Sequence, residues 1–247
     1  MTRSDDEALV ADAAGGGAGK AAYVRSAFSE IAPRYDLLNH LLSFNIDKVW
    51  RRRAVAGLNV ERDPSGVYLD LCAGTLDVSV ELARSAGFRG SIVSIDFAEP
   101  MLRAGKSKVS GLSVNAVTGD ALSLPLKPGS ISGAIVAFGI RNVADLDAGL
   151  REVHRVLVPG ARFVILEFST PRSQVINASY QLYFRHVLPA VGGLISGHRT
   201  AYSYLPRSVA NFPVMEELAR RMRAAGFREV TWRSLTLGIA AIHVGVR

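Results

Sequence analysis

A single cysteine among 247 residues leaves the chain no internal disulfide and no thiolate cluster for a structural zinc. No apolar run approaches the roughly 20 residues that a membrane-spanning helix requires. The opening stretch, residues 1–14, carries Asp5, Asp6, Glu7 and Asp12 and lacks a basic start before an apolar segment. It therefore does not read as a signal peptide. A phosphate-binding loop of the form G-x-x-x-x-G-K-[ST] is missing too, which excludes the common nucleoside triphosphatase reading. No internal repeat is visible, and no cluster of metal-ligating residues stands out. These absences predict a protein of a reducing compartment, read as cytoplasmic.

What remains is ordinary globular material. Hydrophobic residues make up 49% and charged residues 21%, which excludes disordered and collagen-like classes and supplies a full core without staples. Lys and Arg outnumber Asp and Glu by 29 to 22, a net charge of +7. The dense basic clusters are Arg51-Arg52-Arg53 and the run Arg220, Arg221, Arg223. Neither is interleaved with aromatics or set in a nucleic-acid motif, so no nucleic-acid partner is expected. The bland reading is a solvated helix face, and the functional one is attraction to an anionic membrane surface.

Residues 11–22 are small and Gly-rich and read as the end of a flexible lead-in over 1–22. A single folded domain is predicted over 23–247. It opens with two or three short helices over 23–60, broken at Pro33 and near Ser43-Phe44-Asn45. Strand and helix patterns then alternate. Strands are predicted at 67–71, 91–96, 113–118, 131–138 and 161–168, with helices at 77–86, 99–108 and 145–157 among them. Near-continuous apolar strands alternating with amphipathic helices imply a parallel sheet covered on both faces. A helix over 213–225 and two strands turning at Leu237-Gly238 read as an antiparallel hairpin on the sheet edge. The expected fold is a doubly wound, mostly parallel α/β sheet of seven strands. Residues 171–212 interrupt the alternation and read as an inserted helical cap.

Ligands of such sheets lie beyond the carboxyl ends of the strands, near the switch point. Three features converge there. The first is the small-residue turn from Asp70 to Asp77, with Gly74 and Thr75 at its centre. The second is Asp96 at the end of the second strand, placed to accept both hydroxyls of a ribose. The third is Gly119-Asp120-Ala121 after the third strand, placed to recognise an adenine amino group. Each alone reads equally as a helix cap or a turn residue. Together they predict a nucleoside site. A dinucleotide loop wants G-x-G-x-x-G so that its backbone can approach a pyrophosphate, and here the alternate positions hold Cys72, Gly74 and Leu76. A ligand with ribose and adenine but no phosphate fits better, and S-adenosylmethionine is such a ligand.

These residues resemble a known family, the C-methyltransferases of ubiquinone and menaquinone biosynthesis, a branch of the class I S-adenosylmethionine-dependent methyltransferases. The similar blocks are Tyr35-Asp36-Leu37-Leu38-Asn39 running on to Trp50, Ala137 to Val143, and Arg155 to Gly160 running on to Ser169. Phe184 to Pro189 and Tyr202 to Leu205 are similar as well, so the likeness covers about 23–247. The resemblance implies that Thr75, Asp96, Asp120 and Ala121 contact the methyl donor. It also implies a prenylated quinol as acceptor, methylated on a ring carbon, with demethylmenaquinol the expected one. Family members usually carry Gly where this chain has Leu76 and Ala161. A Leu at 76 either crowds the donor or turns out of the site, and a donor-free scaffold of the quinone pathway is the alternative if it crowds. A different small aromatic acceptor is the other alternative.

Sulfonium methyl transfer is an in-line displacement, so the protein mainly aligns its two substrates and needs no metal. The ring carbon becomes nucleophilic as the neighbouring hydroxyl loses its proton, which calls for a base or a positive charge near that oxygen. Arg141, always protonated, is assigned to stabilising the phenolate, and Asn142 to holding the hydroxyl or a water. The competing reading pairs Arg141 with a surface carboxylate. His186 in the cap segment is the candidate base. Tyr35 and Asn39 are expected to close the site from the N-terminal helices, or to form a helix junction. The aromatic cap, with Tyr180, Tyr183, Phe184, Tyr202 and Tyr204, reads as a lining for an isoprenoid tail or as core packing. A lipid-tailed acceptor and the basic balance together suggest loose contact with the inner face of a membrane. The hairpin edge and the cap offer surfaces for a homodimer.

Overall fold

The computed structural model describes residues 19–171, 173–182 and 199–247. Three helices come first: α1 (Lys20–Ile31), α2 (Tyr35–Leu42) and α3 (Ile46–Gly57), with a 3-10 turn at Ala32–Arg34 joining the first two. The alternating part follows as β1 (Val67–Leu71), α4 (Asp77–Ala83), β2 (Ser91–Asp96), α5 (Glu99–Gly105), β3 (Val114–Thr118), β4 (Ile131–Ala137), α6 (Leu146–Val156) and β5 (Leu157–Phe168). After β5 come α7 (Gln174–Leu182) and α8 (Arg199–Ala210). The chain finishes with α9 (Met215–Ala224), β6 (Arg228–Leu235) and β7 (Ala240–Val246).

All seven strands form one sheet in the order β3-β2-β1-β4-β5-β7-β6. The first five are parallel, and β7 runs antiparallel to both β5 and β6. The predicted architecture stands, C-terminal hairpin included. Period-two alternation builds two cores from the same strands. Leu69, Leu71, Ala134 and Val136 face α6 and α9 through Leu150, Val153, Leu218 and Met222. Tyr68, Ile135 and Val164 face the other way, onto Trp50 and Ala54 of α3 and Val78 and Leu82 of α4. Asp145 caps α6 by accepting the Ala148 N–H at 3.0 Å.

Several boundaries differ from the sequence reading. Lys20 already belongs to α1, so helix reaches into the predicted lead-in, and 1–18 lie outside the described residues. The helices predicted at 77–86 and 99–108 end at Ala83 and Gly105, the second continuing as a 3-10 turn, Lys106–Val109. Strand β5 starts at Leu157 rather than 161, because Leu157 already pairs with Ile131 before the register shifts. Gly160, at φ +76°, absorbs that irregularity. The two-sided cover also fails for β3, an edge strand whose residues 115–118 are exposed. Arg51 is buried rather than part of a solvated helix face. No helix among the described residues is long and apolar enough to cross a membrane.

Candidate active site

The chain runs from β1 outward through β2 and β3, then crosses back to β4 on the other side of β1. The loops after β1 and β4 therefore part in opposite directions and leave a crevice between them. A cleft open to solvent lies there. Its floor holds Leu71, Cys72, Gly74 and Asp96, and Asp120 and Ala121 follow from the loop after β3. The facing wall is Ala137, Phe138, Gly139 and Asn142 from the end of β4. Ala21, Arg25 and Phe28 of α1 close the third side together with Tyr35 of α2.

Asp96 is the polar centre of the floor. Its Oδ2 accepts the Gly74 N–H at 2.9 Å and its Oδ1 accepts the Ala98 N–H at 2.8 Å. Each oxygen keeps a further lone pair for a ligand hydroxyl. Burial raises the Asp96 pKa, against the lowering effect of the Ala98, Gly74 and Phe97 backbone N–H groups. Asp120 is held by its own loop, accepting the Leu122 N–H at 2.9 Å. Backbone geometry is special all around this floor: Cys72 (φ +52°), Leu76 (φ +68°) and Phe138 (φ +59°) are non-glycine residues with positive φ. Such conformations cluster at ligand sites, where the surrounding fold over-determines them. Gly139 is forced by proximity, since a Cβ there would fall 2.3 Å from the Cys72 Cβ. Gly105 likewise lets α5 approach the β1 loop, its missing Cβ lying 2.3 Å from the Thr75 carbonyl oxygen.

Leu76 does occupy the left-handed region, but its side chain is fully buried with Ala73 and Leu102 and does not line the cleft. The side chain has turned out of the site. Of the residues expected to hold the donor, Gly74, Asp96, Asp120 and Ala121 meet in the one cleft. Asp70 and Thr75 do not. Asp70 shares a strand face with Tyr68 and accepts the Ser79 hydroxyl at 2.5 Å beneath α4. Burial, with the Asp96 carboxylate adding to it, pushes the Asp70 pKa up to about 7. Thr75 donates its buried hydroxyl to Asp36.

Asn142 and Tyr35 line the cleft, and the Asn142 Oδ1 accepts the Tyr204 hydroxyl of α8 at 3.1 Å. Arg141 is turned away from it. Its guanidinium donates to Glu167 at 2.7 Å, to the Phe138 carbonyl, and more weakly to the Ser208 hydroxyl at 3.4 Å. The partner is thus a fully buried carboxylate at the end of β5, not a surface one. Burial raises the Glu167 pKa while the Arg141 charge opposes it. Tyr180 and Tyr204 are buried and do not line the cleft. His186, Tyr183 and Phe184 lie outside the described residues, as do the side chains of Asn39 and Tyr202.

Sequence reasoning missed the contribution of α1. Ala21, Arg25 and Phe28 sit at i, i+4 and i+7, one helical face, and that spacing was the available signal. It also missed why the block from Tyr35 to Arg51 is so polar. Asp36 pairs with Lys108, which reaches Asp77 at 2.6 Å. Arg51 bridges Asp47 at 2.6 Å and Asp77 at 3.0 Å, and His40 and Ser43 also hold Asp47. This network clamps α2 and α3 onto the first turn of α4, beside the cleft.

Comparison with known proteins agrees with this geometry. The family model described as "ubiE/COQ5 methyltransferase family" matches residues 17–247. A demethylmenaquinone methyltransferase of Thermus thermophilus is 50% identical over 222 residues, 89% of this chain and 99% of that protein. A ubiquinone/menaquinone biosynthesis C-methyltransferase of Geobacter sulfurreducens is 45% identical, covering 90% of this chain and 87% of its own. Among solved structures, a SAM-dependent methyltransferase of Thermotoga maritima, described as a possible histamine N-methyltransferase, superposes with a TM-score of 0.63. It is 19% identical and covers 90% of this chain and 98% of its own, a likeness of fold.

Proposed function

Because the chain belongs to the ubiE/COQ5 methyltransferase family, and is by that membership a methyltransferase, we propose that it methylates a ring carbon of demethylmenaquinol with S-adenosylmethionine as donor. The observation that carries this reading is the cleft at the β1/β4 crossover with the Asp96 carboxylate on its floor. A ribose diol matches the remaining lone pairs of Asp96, and Asp120 and Ala121 stand where the base would lie. The choice of acceptor is supported by relatives named demethylmenaquinone methyltransferase at 50% and 47% identity. A lipid-tailed acceptor also supports loose contact with the membrane surface.

The donor supplies an electrophilic methyl group on a sulfonium. The new bond joins that methyl to the ring carbon, the carbon–sulfur bond breaks, and the thioether leaves with the bonding pair. The ring then sheds the proton of the substituted carbon and regains aromaticity. For its part the protein excludes water, aligns the reacting atoms and helps the hydroxyl proton leave. Asn142, on the wall facing Asp96, is proposed to hold the acceptor hydroxyl, with Tyr204 fixing its amide. Arg141 is proposed as a positioning residue: by binding the Phe138 carbonyl it shapes that wall. His186, one of two histidines within 171–212, remains the proposed proton acceptor.

Trideuterated donor tests the reading. With demethylmenaquinol, the product should carry one CD3 group bonded to a ring carbon, located by mass spectrometry and NMR. Label on an oxygen, or transfer only to an unrelated soluble aromatic, would overturn it.

A further inference from the structure

The hairpin of α2 and α3 carries a polar network on its inner side and a group of exposed apolar side chains on its outer side. Four of its charged and polar side chains, Asp36, His40, Asp47 and Arg51, point inward and are spent on one another, on Thr75 and Lys108, and on Asp77. Five of its apolar side chains point outward, while Trp50, Ala54 and Val55 of α3 pack into the core. Phe44 is 77% exposed, Leu37 61% and Leu41 49%, and Val49 and Ile46 are 43% and 38% exposed. Ten large hydrophobic residues are exposed among the described residues, and these five fall within a stretch of thirteen. Leu37 and Leu41 are one helical turn apart on α2, and Ile46 and Val49 one turn apart on α3, so each pair shares a face. Phe44, in the connecting turn, forms the tip. A patch of this kind on a folded surface marks an interaction site.

The charge beside the patch says what covers it. Lys48, Arg52 and Arg53 are exposed on α3, and no exposed acid lies between Leu37 and Arg53. Glu81, on α4, approaches Arg52 only at 3.5 Å and on the surface. Apolar side chains at a tip with cations one to two turns behind match the two layers of a bilayer surface, acyl chains below and anionic headgroups above. Two of the three arginines in the Arg51-Arg52-Arg53 cluster thus have a use that the clamping network does not absorb.

We infer that the outward face of the α2–α3 hairpin docks the protein on an anionic lipid bilayer, with Leu37, Leu41 and Phe44 entering the interface and Lys48, Arg52 and Arg53 meeting the headgroups. Tyr35, the first residue of α2, lines the cleft, so docking brings the open cleft to the surface in which a lipid-tailed acceptor resides. The inference rests on the proposed acceptor for its purpose, yet its test needs no turnover.

The full chain is sedimented with phosphatidylcholine vesicles lacking or containing phosphatidylglycerol. Binding is expected only to the anionic vesicles. Leu41→Glu/Phe44→Asp, with Asp tolerated at the left-handed position 44, should weaken it at least tenfold with melting temperature unchanged. Arg52→Gln/Arg53→Gln should weaken it about fivefold per charge removed. Methylation of an unprenylated naphthoquinol in vesicle-free buffer should stay within twofold in both variants. Equal vesicle binding by wild type and Leu41→Glu/Phe44→Asp would overturn the inference, as would a wild type that binds neither vesicle. A wild-type dimer that this variant makes monomeric would assign the patch to a second copy instead. Hairpin-dependent vesicle binding without methyl transfer to any quinol would leave the docking surface standing and remove the proposed function.

Discussion

Arg141 and Glu167 form an ion pair 2.7 Å long in which the guanidinium is 7% exposed and the carboxylate 2%. The pair joins the loop after β4 to the end of β5, and Arg141 also binds the Phe138 carbonyl on the wall of the cleft. Removing one partner leaves a buried charge unmet, at about 3–5 kcal/mol. Arg141→Ala and Glu167→Gln should therefore each lower the melting temperature and turnover together. Thermal melts and steady-state rates on both variants check this. An Arg141→Ala protein that melts like wild type yet has lost turnover would mean that the guanidinium acts directly on the acceptor.

Leu76 is one of the two positions at which the resemblance leads one to expect glycine, and its strain and its packing oppose each other. The left-handed conformation costs about 1–2 kcal/mol for a residue with a Cβ. Its fully buried side chain contributes more, since truncating a core Leu costs about 3–5 kcal/mol. Leu76→Gly should thus be less stable by about 1–4 kcal/mol in denaturant unfolding, with donor affinity within twofold of wild type. A tenfold gain in affinity would mean that the Leu side chain does crowd the donor.

Asp70 makes stability depend on pH. Its pKa is raised from the ordinary aspartate value to about 7, so the folded state holds a proton that the unfolded state has already lost. The contribution is complete below the unfolded pKa and is lost as pH rises through about 7, with a slope of up to about 1.4 kcal/mol per pH unit. Asp70→Asn should flatten the stability profile between these limits and gain relative stability at the upper one. Equilibrium unfolding across that range reads it directly. An unchanged slope would show that Asp70 is ionised in the fold.

Asp96 binds two backbone N–H groups through two oxygens, a task that an amide cannot repeat. Asp96→Asn turns an NH2 group toward either Gly74 or Ala98 and removes the charge proposed to face the donor ribose. At about 1.5–3 kcal/mol per hydrogen bond to a charged group, donor affinity should fall about 10- to 100-fold. Calorimetry on the variant measures it. Undiminished affinity would place the donor elsewhere.

Much of this was legible in the sequence because it is local. Apolar runs of strand length separated by amphipathic helices give a parallel sheet, and acids at consecutive strand ends give Asp96 and Asp120 on one cleft. Asp70 was misplaced although a period of two puts it on the face of Tyr68, away from Leu69 and Leu71. That alternation is weak evidence in a strand of five residues. The burial of Arg141 depends on Glu167, 26 positions away on a strand two places from β1 in the sheet, and no local pattern announces such a pairing. The outward face of the α2–α3 hairpin is hidden from the sequence for a different reason. Leu37 and Leu41 repeat with the spacing of a core face, and only the inward turn of Asp36, His40 and Asp47 shows which side is solvent.

The most direct measurement is calorimetric titration of S-adenosylmethionine into the wild-type protein, with S-adenosylhomocysteine alongside. Saturable one-to-one binding of both, with a rise in melting temperature, is the predicted result, since Asp96 is on the floor of the cleft and Leu76 is out of it. Absence of heat and of thermal stabilisation with both ligands, in folded protein, would contradict the account.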